Sequence, residues 1–594
     1  MRTAETTLET LGNISKQHPD YVFRRVYREL FNRDLLLRAY LKLAPNEGNM
    51  TKGTDGRTID GFSMEMVDEI IDQLRAERFY PKPARREYIP KANGKMRPLG
   101  IPTFRDKLVQ EALKEILESI YEPVFSDSSH GFRPGRGCHS ALNSIQYGCK
   151  GTTWVIEGDI TSFFDNIDHD ILLNLISKKV DDGRVIELIR RFLKAGYMEN
   201  CSFKESELGS PQGGVLSPLL ANIYLNELDR FVEGLRAEYE RGGRKRRNPE
   251  YERLRSRWKC AKKSGRTEDA KALHKAMKHT PTADAMDDSV VRVRYVRYAD
   301  DWCVFIVGSK ALATEIKDRI EAFLRNGLHL ELSPTKTHVT NLAHERIRFL
   351  GYEISKLTSE AGRRKTGCIS FRVPADVLRK RISDCTRNKK PYARDDLVNW
   401  SAEKIIREYA SEINGLYNYY SLASNVSTYL HRLVWYHRGS LLKTLAKKER
   451  SSVRKVLRKY GRVVPRPDGH GTTKTVCVMD GDRMVAYYPF AGFRKKVYKP
   501  KPESDGIKEF GPRLKERILS CTCEACGFIG PVEVHHIRNL KQTVERYVGK
   551  QTPDWVNLMQ DMRSKTLILC KECHRKLHSG KLVNFQGPLE SPMH

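Results

Sequence analysis

Three carboxylates in this chain occupy positions from which they could hold metal ions. Asp159 follows the apolar segment WVIEG, and Asp300 and Asp301 lie in the string RYADDWCVF. Strand ends and hairpin turns can bring distant carboxylates to one edge of a sheet, where hard oxygen ligands suit Mg²⁺. Two Mg²⁺ ions about 3.5–4 Å apart would activate an attacking 3′-hydroxyl and stabilise a pyrophosphate leaving group. The pattern therefore indicates phosphoryl-transfer chemistry.

The alternative interpretation of the acidic pair is structural, since Asp-Asp strings also occur in turns that bind nothing. The flanking sequence favours the metal site. Apolar, β-branched runs stand on both sides of the pair, and TTWVIEGDI has the composition of a buried strand. We therefore predict two strands that meet at an acidic turn, beside a third strand that ends in Asp159.

A second group of metal-ligating residues lies near the C-terminus. Two CxxC pairs offer four thiolates, the number and type for a closed tetrahedral Zn²⁺ site: Cys523, Cys526, Cys570 and Cys573. His574 and His578 follow at helical i and i+4 positions, where they can share a second metal ion, and VHHI at 534–537 lies between the Cys pairs. The alternative is a zinc-stabilised DNA-binding knuckle without catalysis, but such a module has no need of four further His residues.

Hydrophobic spacing predicts the elements that position these residues. Residues 1 to about 80 have helical spacing, and from Tyr88 short strand-like segments follow, with Asn93-Gly94 as a hairpin signal. Helical spacing returns at 106–125 and again between about 380 and 465, where one face carries Ile406, Tyr409, Ile413, Leu416 and Tyr420. Residues 463–513, rich in Pro, Gly and Lys, are predicted to form a small linker-rich basic region.

Composition limits the classes of function. The chain has 594 residues, 105 Lys and Arg against 74 Asp and Glu, and a net charge of +31, which predicts nucleic acid as the partner. With 39% apolar and 9% aromatic residues it is globular, and it is too long to be a single small binding module. We expect no secretion signal and no membrane span, because there is no long apolar run. Thirteen cysteines, mostly scattered, predict a reducing compartment.

Two segments concentrate the positive charge. Residues 236–279 contain sixteen Lys and Arg against six acids, and either a solvated helix pair or direct RNA contact explains them. Residues 431–462 contain eleven Lys and Arg against one acid, which predicts a nearby phosphate backbone. The candidate RNA-binding residues there are Lys443, Lys447, Arg450 and Arg454.

The amino-acid sequences of several segments resemble those of one enzyme family. The segments are IPKANGKMRPLGIP at 89–102, HGFRPGRG at 130–137, GDITSFFDNIDH at 158–169, SPQGGVLSPLLANIYLNELD at 210–229, YADD at 298–301 and FLGYEI at 349–354. Together they resemble the group II intron-encoded reverse transcriptases and maturases. The likeness covers nearly the whole chain in matching order, including a helical thumb and a C-terminal HNH nuclease.

The resemblance implies roles for residues of the polymerase. Asp159 and Asp300 would be the principal Mg²⁺ ligands, with Asp301 beside them in the catalytic turn. Lys91 and Arg97 would hold the triphosphate of the incoming dNTP, the Arg through a bidentate fork.

Further positions would surround the nucleotide. Phe164 would exclude ribonucleotides by contact with the sugar 2′-carbon; the alternative is a core aromatic next to Phe163. Gln212 would contact the nucleotide or template, with Gly213 and Gly214 permitting close backbone approach. Lys336 would assist pyrophosphate departure.

The HNH resemblance assigns the histidines. His535, His574 and His578 would bind a divalent metal ion, and His536 would be the general base that activates water. The middle Asn expected of an HNH motif is not found before LILC, where Lys565 and Thr566 stand. Asn557 is the nearest candidate, so the residue that orients His536 is left open.

The predicted fold is a multidomain α+β protein with right-hand polymerase architecture. Fingers and palm, with an antiparallel palm sheet, would span 1–370 and include a basic insertion at about 236–288. A helical thumb, the maturase region, would follow at 371–465, then a basic DNA-binding region at 466–513 and a zinc-containing ββα-metal nuclease at 514–594.

The predicted function is reverse transcription primed at a DNA nick. The protein would bind its group II intron RNA, assist splicing and remain as a ribonucleoprotein; its HNH unit would cut target DNA to supply a primer. The expected cofactors are two Mg²⁺ at the polymerase site, structural Zn²⁺ and a divalent nuclease metal, and the expected location is the bacterial cytoplasm, at the nucleoid. The alternatives are a reverse transcriptase of another class and a splicing cofactor that acts only by binding RNA.

Overall fold

The computed structural model of the chain describes all residues except 1, 91–93, 95, 200–201, 205–208, 210–212, 244, 281, 285–286, 288, 358–366, 466–470, 490–491, 501–510, 548–550 and 583–594. Helices and small sheets alternate along the chain, and the sheets are antiparallel apart from one parallel pairing. None of the described helices combines the length and the apolar character that a membrane span requires.

The α-helices of the described part are α1 (Ala4–Gln17), α2 (Arg33–Leu43), α3 (Met64–Arg75), α4 (Phe104–Tyr121), α5 (Cys138–Gly148), α6 (His169–Ser177), α7 (Gly183–Lys194), α8 (Ser217–Tyr239), α9 (Pro249–Lys263), α10 (Thr267–His279), α11 (Lys310–Leu328), α12 (Ala375–Ser383), α13 (Ala402–Tyr420), α14 (Val426–Lys448), α15 (Val453–Tyr460), α16 (Gly511–Leu519), α17 (Leu540–Glu545), α18 (Asp554–Asp561) and α19 (Lys571–His578).

The β-strands of the same residues are β1 (Phe62–Ser63), β2 (Ala84–Pro90), β3 (Met96–Ile101), β4 (Trp154–Gly158), β5 (Tyr197–Glu199), β6 (Ser202–Lys204), β7 (Arg292–Tyr298), β8 (Asp301–Val307), β9 (His338–Asn341), β10 (Ile347–Phe349), β11 (Tyr352–Lys356), β12 (Ile369–Arg372), β13 (Thr386–Arg387), β14 (Lys390–Pro391), β15 (Gly461–Pro465), β16 (Thr472–Asp480), β17 (Arg483–Tyr487), β18 (Val532–His536) and β19 (Thr566–Cys570).

A four-stranded antiparallel sheet of order β7-β8-β4-β9 carries the acidic turn. β8 is apolar on both faces, and all but its first residue is buried, as expected of a central strand. β7 and β8 form a tight hairpin in which Tyr298 pairs with Asp301, and Ala299 adopts a left-handed φ of 57°. The predicted pair of strands meeting at an acidic turn is therefore confirmed.

One hydrophobic core joins this sheet to the N-terminal helices. α1, α2, α3 and α4 contribute many of its members, and α8 and α11 belong to the same core and pack against the sheet at β7 and β4. α4 begins where the sequence provides a cap, because Thr103 accepts a hydrogen bond from the backbone N–H of Asp106. α8 begins with Ser217-Pro218, where proline lacks only an N–H that would be unpaired.

A second core lies among α13, α14, α15 and the sheets β10-β11-β12 and β15-β16-β17. The predicted helical face on α13 is confirmed: Ile406, Tyr409, Ile413 and Tyr420 are buried, and Leu416 is partly buried against the same core. The prediction of a linker-rich segment from 463 is wrong for residues 463–465 and 472–487. They belong to β15, β16 and β17, and Val476 and Ala486 are buried in the second core with the helices.

The C-terminal unit contains the hairpin β18–β19 followed by α19, a ββα arrangement. Its sheet has a third strand, β1, supplied from the N-terminal part of the chain, with Phe62 opposite Val534 and Ser63 opposite Glu533. Val532, Val534 and Ile568 belong to the first core. The sequence predicted a C-terminal domain of its own at 514–594. In the structure this domain shares a strand and part of its core with the N-terminal part of the chain.

Candidate active sites

The end of β4 and the acidic turn lie side by side at one edge of the four-stranded sheet. Gly158 pairs with Trp302 in the β4–β8 ladder, which places Asp159 next to Asp301. Glycine is required at 158 because a Cβ there would lie 2.1 Å from the ring of Trp302. The structure thus brings Asp159, Asp300 and Asp301 together, as the strand pattern predicted.

The three carboxylates repel one another. Burial raises the pKa of Asp300, and the Asp159 carboxylate adds to that increase. Burial raises the pKa of Asp301 to about 6, with further contributions from Asp300 and then Asp159. Mutually repelling oxygen ligands at a sheet edge are a donor set that hard divalent cations such as Mg²⁺ would stabilise.

Two cations predicted to act in catalysis lie at this edge. The Lys336 Nζ donates a hydrogen bond of 2.8 Å to Asp159 Oδ2, and this contact raises the pKa of the lysine. Arg97, on β3, lies near enough to Asp300 for its positive charge to oppose the increase in the pKa of that carboxyl group. Lys91 and Gln212 lie outside the described residues.

The hairpin β2–β3 that carries Arg97 is confirmed by six residue pairs in antiparallel register. Gly213 has a φ of 109°, and a Cβ on it would lie 2.6 Å from the carbonyl oxygen of Gly100. Gly213 therefore lets its own backbone approach β3 closely, and this contact helps to position the β2–β3 hairpin.

The neighbouring rings of Phe163 and Phe164 lie in different environments, which bears on whether Phe164 is a core aromatic or a contact of the nucleotide sugar. The Phe163 ring is buried in the core, whereas Phe164 is half-buried and packs against the edge of the same core. Their ring centroids are 5.3 Å apart in an edge-to-face contact. Phe163 fills the core position, and Phe164 keeps part of its surface accessible.

A buried ion pair behind the acidic turn was not predicted. The Arg297 guanidinium donates from Nε and Nη2 to the two carboxylate oxygens of Asp229, at 2.7 and 2.6 Å, and neither side chain is exposed. Its Nη1 donates to the side-chain oxygen of Asn222 and, at 3.0 Å, to the carbonyl oxygen of Ala299 inside the turn. The signal was present in the sequence, because Arg297 shares the buried face of β7 with Val293 and Tyr295.

The four cysteines form one cluster. Their sulfur atoms all lie within 4.8 Å of one another, and Cys526 Sγ is 3.9 Å from Cys570 Sγ. Tetrahedral thiolates about 2.3 Å from a Zn²⁺ ion are about 3.8 Å apart, so the cluster fits zinc. The predicted ligand set Cys523, Cys526, Cys570 and Cys573 is thus assembled.

The three predicted histidine ligands also converge. His574 Nε2 is 3.3 Å from His535 Nδ1 and 3.0 Å from His578 Nε2. Asp60, from the turn before β1, joins them, and one ligand atom from each of the four residues lies within 4.8 Å of the others. Sequence reasoning missed Asp60, and its position far from the Cys and His motifs offered no signal.

His536 points away from this cluster. Its neighbour His535 faces the metal ligands, so alternation along β18 turns His536 to the opposite face. Its Nε2 lies 2.7 Å from the Tyr40 hydroxyl oxygen, and the residue is 3% exposed. Burial lowers its pKa to about 4. Asn557 is exposed on α18, and the main-chain partner of His536 across the sheet is Thr566.

The predicted basic surface lies on α14 and the segment after it. Lys443, Lys447, Arg450 and Arg454 are all exposed, and Lys447 pairs with Asp395 at 2.7 Å. The segment 236–279 contains the two helices α9 and α10, which pack on each other and bury only Tyr251, Ala261 and Met277.

Comparison with protein families gives three matches along the chain. Residues 89–239 match the model "Reverse transcriptase (RNA-dependent DNA polymerase)", 371–481 match "Type II intron maturase", and 523–574 match "AI2M/AI1M-like, HNH endonuclease". The fold and sites therefore define a reverse transcriptase joined to a maturase region and an HNH endonuclease.

Relatives extend the match over almost the whole chain. The Group II intron-encoded protein LtrA of Lactococcus lactis subsp. cremoris is 39% identical over 97% of this chain and 99% of its own length. The "Uncharacterized 91 kDa protein in cob intron" of Schizosaccharomyces pombe is 37% identical over 97% of this chain and 72% of its own. The chain belongs to the family of group II intron-encoded proteins, with reverse transcriptase and HNH endonuclease activities.

Proposed function

We propose that the edge formed by Asp159, Asp300 and Asp301 is the palm active site of a right-hand polymerase that copies intron RNA into DNA. The observation that carries this proposal is the register of β4 against β8, which places three carboxylates from distant segments at one edge. Two Mg²⁺ ions held there would supply the charge for phosphoryl transfer. We keep the predicted domain limits as part of this proposal: fingers and palm to 370, thumb to 465, a basic DNA-binding region to 513, whose strands β16 and β17 pack on the thumb helices, and then the nuclease.

The protein's own groups would position the reactants. Arg97 and Lys91, from the β2–β3 hairpin, would hold the dNTP triphosphate, and Gln212 would contact the base pair or template strand. Lys336 would leave Asp159 and place its ammonium group near the departing pyrophosphate, since a carboxylate that ligates a cation no longer needs the lysine as its partner.

A homopolymer primer-extension assay tests this function. The full chain, with Mg²⁺ and dNTPs, is expected to extend a DNA primer on an RNA template. Failure to extend, combined with normal splicing of a bound intron transcript, would favour the rival function of a splicing cofactor that acts only by binding RNA.

The second proposed activity is cleavage of target DNA by the C-terminal unit. His535, His574 and His578 would hold its divalent ion, His536 would take a proton from water once it is uncovered, and the four cysteines would hold structural Zn²⁺. The cut strand would then prime synthesis at the palm. A ribonucleoprotein with intron RNA and a DNA target would work in the bacterial cytoplasm, at the nucleoid.

Phe164→Val is expected to raise the use of ribonucleotides relative to deoxyribonucleotides by at least about 10-fold, because the smaller side chain opens space for a 2′-hydroxyl. Competition between the two nucleotides in primer extension measures the change. The matched control is Phe163→Val, which removes the same volume from the core and should reduce stability without changing discrimination. Unaltered discrimination in Phe164→Val would make Phe164 a core residue only.

Replacing Lys443, Lys447, Arg450 and Arg454 together by Gln is expected to weaken intron RNA binding and flatten its salt dependence. Each lost phosphate contact reduces the log-log slope by about 0.7–0.9. Filter binding at several salt concentrations measures the slope.

The matched control for that variant replaces four exposed cations of α9: Arg253, Arg257, Lys259 and Lys263. It removes the same charge from the basic insertion. If only this control flattens the slope, the RNA-binding surface lies on the insertion and α14 is a solvated surface.

A further inference from the structure

The N-terminal part of the chain places a carboxylate inside the histidine cluster of the nuclease. Asp60 Oδ1 is 3.1 Å from His535 Nδ1. Asp60 Oδ2 is 2.8 Å from His578 Nε2 and 3.5 Å from His574 Nε2. The Asp60 side chain is only 14% exposed, so this contact lies inside the protein.

These spacings match the edges of a metal coordination shell. Nitrogen and oxygen ligands about 2.0–2.1 Å from a tetrahedral ion are about 3.3–3.4 Å apart. The contacts among the three ring nitrogens and the Asp60 oxygens lie between 2.8 and 3.5 Å. The donor set of three imidazoles and one carboxylate suits Zn²⁺ and similar divalent ions.

The orientation of His574 supports an ion at this point. Its Nδ1 lies 2.6 Å from Glu533 Oε2, which places the ring proton on Nδ1. Its Nε2 then presents a lone pair toward the other two rings and Asp60. A carboxylate behind a ligating histidine is the arrangement that orients metal ligands in proteins.

Asp60 is fixed by main-chain contacts. The backbone N–H of His536 donates to Asp60 Oδ1 at 2.7 Å, and the N–H of Gly61 donates to the carbonyl oxygen of Val534 at 3.0 Å. The next residue, Phe62, stacks on Tyr40 with ring centroids 3.7 Å apart. The carboxylate is therefore held in place by paired strands and a buried aromatic contact.

We propose that Asp60 is the fourth protein ligand of the nuclease metal ion and that it holds the nuclease in a closed state on the N-terminal segment. Catalytic sites of this type keep one coordination position open, whereas four protein ligands leave none for water. Tyr40 covers His536 in the same arrangement. DNA cleavage therefore requires β1 to separate from β18 and Asp60 to leave the ion; this last consequence rests on the proposed nuclease function.

Zinc binding by the full chain tests the ligand. Metal-free wild-type protein is expected to bind two Zn²⁺ per chain, the first at the four thiolates, which bind zinc more tightly. Asp60→Asn should bind the second Zn²⁺ at least about 10-fold more weakly, because even the loss of a group that only supports a ligand weakens metal binding about 10–100-fold. Glu65→Gln, an exposed carboxylate at the start of α3, removes the same charge nearby and should bind both ions normally.

Hydrogen exchange of residues 57–63 tests the closed state. The second equivalent of Zn²⁺ should slow exchange of these amides in the wild type and in Glu65→Gln, but not in Asp60→Asn. His578→Ala removes a half-exposed ligand carried by α19, so the fold should survive, and it should abolish the same protection.

Two results would overturn the proposal. If Asp60→Asn binds the second Zn²⁺ as tightly as the wild type, Asp60 is only an ion-pair partner of the histidines. If the second Zn²⁺ speeds exchange of residues 57–63, the ion displaces Asp60 instead of binding it. Both readouts are independent of cleavage. If the chain passes them and neither the wild type nor the opened variant Asp60→Asn, loaded with excess Zn²⁺, cuts target DNA, the nuclease function alone is disproved.

Discussion

Asp300→Asn is expected to reduce primer extension at least about 100-fold, the loss seen when one preorganised stabilising group is removed from an active site. The neutral amide is a weaker ligand for Mg²⁺ than the carboxylate, and it also removes repulsion with Asp159, so the fold should be retained. Steady-state extension of a primer on an RNA template measures the loss.

Two measurements make this result specific. Intron RNA affinity should stay within a few-fold of the wild type, because RNA binding is assigned to the exposed basic surface and not to the acidic turn. Asp318→Asn, an exposed carboxylate on α11, is the matched control and should extend primers normally. If Asp300→Asn extends primers at the wild-type rate, the assignment of a two-metal site to this edge of the sheet is wrong.

Arg297→Met is expected to destabilise the domain by about 3–5 kcal/mol, since it leaves the Asp229 carboxylate buried without its partner. For a domain of this size the corresponding fall in Tm is roughly 6–20 °C. Primer extension should fall as well, because the guanidinium also holds the Ala299 carbonyl inside the acidic turn. Thermal unfolding and primer extension below the new Tm measure the two effects separately.

The double variant Arg297→Met with Asp229→Leu is the control for this ion pair. It removes both charges, so much of the lost stability should return, because no buried charge is left unpaired. Primer extension should stay low if Arg297 positions the turn. Full recovery of extension in the double variant would show that the pair contributes stability alone.

Much of both sites follows from local sequence patterns. The β-branched, apolar runs VRVRYVRY and CVFIV predict two strands with the acidic pair between them, and the apolar WVIEG predicts the strand before Asp159. The CxxC spacing and the i, i+4 histidines bring ligands together within one turn or one helix face. These features depend on residues a few positions apart, so the sequence by itself determined them.

The tertiary structure alone decided which distant segments complete these sites. The backbone N–H of His536 and the Asp60 carboxylate are 476 residues apart in sequence, and they meet only because β1 pairs with β18. Asp229 meets Arg297 because α8 packs across β7. Hydrophobic periodicity indicates which face of a helix or strand is buried, but it does not indicate which other element covers that face. The covering element is decided by side-chain packing between segments that are distant in the chain.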